Sequence, residues 1–108
     1  MIDHEKNLRK AIELSKQSID SGSSPFGCVI VDAEGKIVGE GHNRVAPDND
    51  PTAHGEIVAI RNACRNLGTF DLSGCILYTS CEPCPMCLNA CKWANICLLY
   101  TSPSPRDA

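Results

Sequence analysis

The apolar positions of this chain change period several times, and each change marks an element. Leu8, Ala11, Ile12, Ser15 and Ile19 recur at helical spacing. Asp3 stands where a helix cap belongs and Gly22 where a helix can stop, so a first helix is expected between them. Residues 26–31 are apolar and β-branched, the pattern of a buried strand. Ala33-Glu34-Gly35-Lys36 is turn chemistry, and residues 37–40 return as a second strand, which makes a hairpin. Residues 43–52 are rich in Pro, Asp and Asn and read as a loop.

From Ala53 the period is helical again. Ile57, Ile60, Ala63, Cys64 and Leu67 share one face, and Gly68 ends the helix. Residues 75–79 read as a third, buried strand. Cys84 or Pro85 opens another helix, carrying Met86, Ala90 and Trp93. Proline suits that first turn because its missing N–H would be unpaired there anyway. Asn95 and Ile96 are expected to begin a fourth strand. No internal repeat or linker interrupts the pattern. The order α-β-β-α-β-α-β predicts one domain with helices packed over a mixed sheet, an α/β layer architecture.

Composition narrows the function classes. The chain has 108 residues, of which 43% are hydrophobic, enough for one small domain with a core. A net charge of −3 gives no electrostatic reason to expect nucleic-acid binding, although a local basic face could survive it. No apolar run follows Met1, so neither a signal peptide nor a membrane span is read, and the cytoplasm is the expected location. The 8 cysteines would suggest a disulfide scaffold in a secreted protein. In a reducing compartment, metal ligation and buried thiols are the better readings.

The cysteines and histidines then supply a chemistry. His54-Gly55-Glu56 reads H-x-E, and Pro83-Cys84-Pro85-Met86-Cys87 reads P-C-x-x-C. Structural zinc sites fill four positions with protein groups, whereas catalytic sites use three and leave one for water. His54, Cys84 and Cys87 make three. Cysteines at the start of a helix are expected to have depressed pKa values and to bind metal as thiolates. A zinc held by the three would bring the pKa of its water to about 7. Glu56, two residues from His54, is placed to move protons without being a ligand.

Asp50-Pro51-Thr52-Ala53-His54-Gly55-Glu56 and the run from Leu77 through Thr79-Ser80-Cys81-Glu82-Pro83-Cys84-Pro85-Met86-Cys87 resemble the zinc nucleobase deaminases, and the bacterial guanine deaminases in particular. They are similar, less closely, to the bacterial tRNA adenosine deaminases. The resemblance implies the cytidine-deaminase-like three-layer fold with a mixed sheet, incomplete here at the C-terminus. It implies one zinc per subunit and Glu56 as the group that takes a proton from water, then protonates a ring nitrogen and the leaving ammonia. Guanine would become xanthine. Asn43 matches the family's base-binding Asn and Phe26 an aromatic that packs against the purine. Gly55 takes the place of a usual Ala whose backbone N–H contacts the base. Asn89 stands where the family usually has Gly, and its side chain either crowds helix packing or faces solvent. The family's later segments cross to a partner subunit in a swapped homodimer and add an aromatic and an acidic residue to substrate recognition. The implied partner is otherwise a small purine, with neither membrane nor nucleic acid.

Other readings stay open. Taken alone, Phe26 is as well explained as simple core, and His4 and His42 read as surface residues. Cys28, Cys64, Cys75 and Cys91 read as small buried hydrophobes. Cys81, Cys84, Cys87 and Cys91 follow C-x2-C-x2-C-x3-C, the spacing of bacterial ferredoxins, so an iron–sulfur electron-transfer protein is a rival. Lys92 rather than Pro follows its fourth cysteine, no second cluster motif is present, and H-x-E goes unexplained. A structural zinc module is the third reading, and a tRNA adenosine deaminase is the alternative within the resemblance.

The last residues form a separate question. Cys97-Leu98-Leu99-Tyr100-Thr101-Ser102-Pro103-Ser104-Pro105-Arg106-Asp107 can be back-translated, in frame, into a commonly used sequencing transposon adapter. Residues 1–96 are therefore expected to be a partial deaminase domain and residues 97–108 a non-native tail from adapter read-through. A natural Ser/Pro-rich tail is the other reading. A domain cut at this point leaves apolar sheet surface uncovered, so the 108-residue chain alone is expected to be poorly soluble or inactive.

Overall fold

In a computed structural model the protein is described over residues 3–20, 27–79 and 83–100, without the side chains of residues 18–20 and 99–100. The elements run α1 (His4–Asp20), β1 (Gly27–Val31), β2 (Ile37–His42), α2 (Val45–Asp48), α3 (Gly55–Leu67), β3 (Ile76–Thr79), α4 (Pro85–Ala94) and β4 (Cys97–Tyr100). One sheet holds the strands in the order β2-β1-β3-β4. β1 is antiparallel to both neighbours, while β3 and β4 are parallel, so the sheet is mixed.

The alternation along each strand sorts the layers. Val29, Val31 and Tyr78 face one side, where they pack against Ala11 and Leu14 of α1. Cys28, Ile30 and Leu77 face the other, against Ala59 and Ala63 of α3 and Cys91 and Ala94 of α4. β1 is buried along its whole length. That is why its sequence is continuously apolar rather than alternating. The result is the expected three-layer α/β/α arrangement.

Local signals account for the ends. Asp3 Oδ1 accepts a hydrogen bond from Lys6 N–H at 3.0 Å, which caps α1 as expected. Gly22 lies outside the described residues. Asp32 Oδ1 accepts from the N–H groups of Glu34 and Lys36, both at 2.9 Å, closing the hairpin turn in which Gly35 has φ 86°. Gly68 ends α3 in the left-handed region at φ 68°.

β2 runs two residues beyond the expected end, to His42, and the structure corrects the sequence reading in four further places. The 43–52 segment holds a turn of helix, α2, because Asn43 Oδ1 accepts from Val45 N–H at 3.0 Å and organises its start. Asn95 does not begin a strand. It caps α4 in the left-handed region at φ 63°, so β4 starts at Cys97. Cys75 precedes β3 rather than belonging to it. The buried face of α3 is offset from its apolar stripe, although Ala63 is buried on it and Ile60 and Cys64 pack against the core. α3 buries Gly55, Glu56, Ala59 and Ala63 and leaves Leu67 exposed, while α4 buries Cys87, Cys91 and Ala94 and leaves Trp93 86% exposed. Small residues face inward because α3 lies very close to β2. A Cβ on Gly41 would stand 2.6 Å from Ala59 N and from Gly55 O, and one on Gly39 would stand 2.7 Å from Ala59 O. Only Gly fits such an approach.

Candidate active site

Two helix N-termini meet at one end of the sheet. His54 is the N-cap of α3 and Cys84 the N-cap of α4, both with extended backbones. Neither side chain caps its own helix, which leaves both free for other work. Pro85 follows Cys84 in the first turn of α4, where its missing N–H costs nothing. Cys87, one turn into α4, is fully buried and brings its sulfur to the same point.

The loop ahead of His54 is held by polar contacts that sequence spacing could not reveal. Asp50 accepts hydrogen bonds from Thr52 N–H at 2.9 Å and from the Thr52 hydroxyl at 2.6 Å. Arg61, from α3, donates to Asp50 at 3.1 Å and to Thr52 Oγ1 at 3.2 Å. The Thr52 hydroxyl and N–H, with Arg61, hold the Asp50 carboxyl below its ordinary pKa. Arg44 N–H also donates to Ala53 O at 2.9 Å, tying the loop to the end of β2.

His54 Nδ1 lies 3.5 Å from Cys84 Sγ and 3.6 Å from Cys87 Sγ. The three ligand atoms all lie within 4.8 Å of one another. A zinc ion about 2.3 Å from sulfur and about 2.0 Å from nitrogen, at tetrahedral angles, sets a sulfur–nitrogen edge of about 3.5 Å. The observed edges match that figure, and Cys and His are the donors zinc prefers. The donor set therefore fits zinc. Among the described residues this is the group that could hold a metal. Cys81, which the iron–sulfur reading requires, lies outside the described residues. Cys91, its fourth cysteine, packs instead in the core between α4 and the sheet.

Burial works against a charged thiol here. The Cys87 thiol is pushed well up by burial first, then by the charge of Glu56 and by Cys84. At Cys87, burial and neighbouring negative groups thus oppose the depression expected from the helix N-terminus. A bound divalent cation inverts that balance and holds the sulfur as thiolate. Cys91 is pushed up to about 11, by burial and then by Glu56, and stays a neutral thiol.

Glu56, in the first turn of α3, is only 4% exposed. It lies on the buried face of that helix, where an ordinary solvated glutamate would not. Gly55 is buried beside it. Asn43 follows β2 at the end of the sheet that carries the ligand helices, and its Oδ1 is committed to Val45 N–H. Phe26 lies outside the described residues. Asn89 faces solvent rather than crowding α4. His4 is exposed but hydrogen-bonds the buried Tyr78 hydroxyl. Cys28, Cys75 and Cys91 are buried, as their small apolar character predicts, and Cys64 is half-buried. Sequence reasoning missed Thr79, whose fully buried hydroxyl stands beside Cys28 on the neighbouring strand.

A three-layer fold with a His–Cys–Cys group and a buried carboxylate in the same helix turn as the histidine is the arrangement expected of a zinc-binding deaminase domain. The chain belongs to the cytidine and deoxycytidylate deaminase zinc-binding family, whose model matches residues 1–102. It is 48% identical over 108 residues to a guanine deaminase of Bacillus subtilis, covering 99% of this chain and 69% of that protein. The X-ray structure of guanine deaminase from Bacillus subtilis superimposes with a TM-score of 0.89 at 50% identity, covering 94% of this chain and 65% of that one. A tRNA-specific adenosine deaminase of Aquifex aeolicus is 46% identical over 89 residues, covering 82% of this chain and 58% of that protein.

Proposed function

We propose that this chain carries the catalytic site of a purine-base deaminase that converts guanine and water to xanthine and ammonia. The observation that carries the reading is a buried Glu56 beside a three-ligand His54, Cys84 and Cys87 group. Three protein ligands are the donor set of a catalytic rather than a structural zinc site. When bound there, zinc supplies the Lewis acidity that makes water nucleophilic at neutral pH.

The chain's own residues do the rest. Glu56 takes a proton from the attacking water and passes it to the ring nitrogen next to the amino-bearing carbon. It then takes the remaining proton of the added hydroxyl and passes it to the amino group, which leaves as ammonia while the carbonyl forms. One carboxylate thus serves as base and acid in turn. Its burial keeps bulk water from competing for those protons. Asn43 has its carbonyl oxygen engaged by Val45, so the group it offers a purine is its amide N–H2. Gly55 presents a backbone N–H to the base, and Phe26 packs on the purine face. In this reading the protein works in the cytoplasm, in purine metabolism, as a homodimer.

The domain boundary belongs to the same proposal. Residues 1–96 supply the site and residues 97–108 are the non-native tail. The pairing of Cys97–Tyr100 with β3 requires only an apolar, strand-forming run and is compatible with that origin.

The second reading is deamination of adenosine in tRNA, favoured by 46% identity over 89 residues to an enzyme of that name. A net charge of −3 and 48% identity to a guanine deaminase weigh toward the free base. Ammonia release decides between them. The zinc-loaded enzyme should release it from guanine and not from a tRNA anticodon stem-loop, and the reverse outcome would replace the first reading with the second.

A further inference from the structure

We propose that Arg61 is a positioning residue for the zinc ligand His54: its guanidinium closes the loop from Asp50 to His54 into a hydrogen-bonded ring, and so sets how tightly the site holds zinc. The inference rests on the reading of His54 as a ligand and explains what fixes that residue in place.

The ring is built from matched donors and acceptors. Arg61 Nη1 donates to Asp50 Oδ2 at 3.1 Å and Arg61 Nη2 to Thr52 Oγ1 at 3.2 Å. The Thr52 hydroxyl in turn donates to Asp50 Oδ1 at 2.6 Å, and Thr52 N–H donates to the same oxygen at 2.9 Å. Both carboxylate oxygens are engaged, and the hydroxyl accepts from one neighbour and donates to the other. Backbone bonds carry the ring to the ligand. Ala53 N–H donates to Asp50 O at 3.1 Å and His54 N–H to Thr52 O at 2.8 Å. On the far side Val58 N–H donates to His54 O at 2.9 Å, in the first turn of α3. His54 is thus held by the loop before it and by the helix after it. Arg61, about two helical turns along α3, joins the two.

A metal-binding histidine is usually oriented by a partner on its other ring nitrogen. Among the described residues, the His54 ring meets only the sulfurs of Cys84 and Cys87. Its orientation must therefore come from its backbone, which is the part the ring of hydrogen bonds fixes. Arginine suits the task because its planar fork reaches two acceptors at once, whereas a lysine ammonium is a single point charge. The side chains of Arg61 and Asp50 are 50% and 31% exposed. An ion pair so exposed adds little to folding. Its effect belongs instead to the metal, whose binding depends on ligands already standing in place.

The test sets zinc affinity against folding, on the full chain, by competition with a zinc chelator and by melting of the metal-free protein. Arg61→Ala should weaken zinc binding roughly tenfold, the lower end for loss of a group that orients a ligand. The metal-free variant should melt within a few degrees of the parent, as the loss of an exposed ion pair predicts. Arg61→Lys keeps the charge but reaches one acceptor, so it should recover part of the lost affinity. Thr52→Val removes the shared hydroxyl and keeps the side-chain shape, and in that background Arg61→Ala should cost less affinity than in the parent. Parental zinc affinity in Arg61→Ala overturns the inference, as does an equal cost with and without the Thr52 hydroxyl. A metal-free melt that falls in step with affinity would make Arg61 a general support of the fold and overturn it as well. The reading beneath fails separately: His54→Ala that binds zinc as tightly as the parent would remove His54 from the ligands. Weak binding by His54→Ala beside parental binding by Arg61→Ala would sink the positioning role alone.

Discussion

His54 and Cys84 occupy cap positions without capping, which fits residues kept for a metal. A lost side-chain cap costs about 1 kcal/mol in many helices, so two uncapped starts side by side need an offset. Zinc ligation supplies it, because ligand binding to the folded state alone stabilises that state. Accordingly, His54→Ala should purify with little zinc and melt at lower temperature than the parent protein. Full zinc occupancy by elemental analysis would remove His54 from the ligand set. This layer was the most legible in the sequence, because H-x-E and P-C-x-x-C are local spacings on two helix starts. Cys28 and Thr79 were not legible as a pair. They are 51 residues apart (79 − 28) and meet only through the register of β1 with β3. Arg61 and Asp50 were equally invisible, since nothing in an 11-residue separation marks a clamp.

Helix α3 links packing to chemistry. Its inward face is Gly55, Glu56, Ala59 and Ala63, and the glycines of β2 let it lie close enough to set Glu56 over the sheet. Gly41→Ala would put a methyl 2.6 Å from two backbone atoms of that helix, a clash no side-chain rotation relieves. The helix must shift, at about 1–3 kcal/mol for overpacking of this kind. The displaced turn carries Gly55 and Glu56, so turnover should fall with stability. A variant that melts and turns over like the parent would show that the close approach is not needed. Helix existence and type were readable from periodicity, and the buried face of α3 only in part, at Ile60, Ala63 and Cys64. The large apolar residues Leu67 and Trp93 face outward because close contact selects Ala, Gly and Cys for the inward positions. The turn of α2 and the cap at Asn95 were missed because Asn side-chain and left-handed backbone preferences override the run of apolar spacing.

Across the whole molecule the two edges of the sheet are treated differently. At β2, the side-chain amides of Asn62 and Asn66 donate to Glu40 O and Val38 O, both at 2.8 Å, and cover that edge. At the opposite side the outermost described strand is β4, which begins at Cys97. The α/β layer class was readable from element order, and the mixed sheet follows from it. The proposed boundary at residue 96 falls at the start of this last strand. Sequencing the source DNA past the codon for Ile96 is its direct check. An open reading frame that replaces residues 97–108 and continues for roughly 50 residues, an ordinary domain size in total, is the expected result. A genomic Ser/Pro tail would overturn the adapter assignment.

The account's central claim is that one carboxylate beside a three-ligand zinc site does the proton chemistry. The measurement closest to it pairs zinc content with guanine turnover in Glu56→Gln. The expected result is full zinc occupancy with turnover reduced by at least about 100-fold, the lower end of general acid–base contributions. Turnover near that of the parent protein, with zinc in place, would contradict the claim and leave Glu56 a buried residue without a part in catalysis.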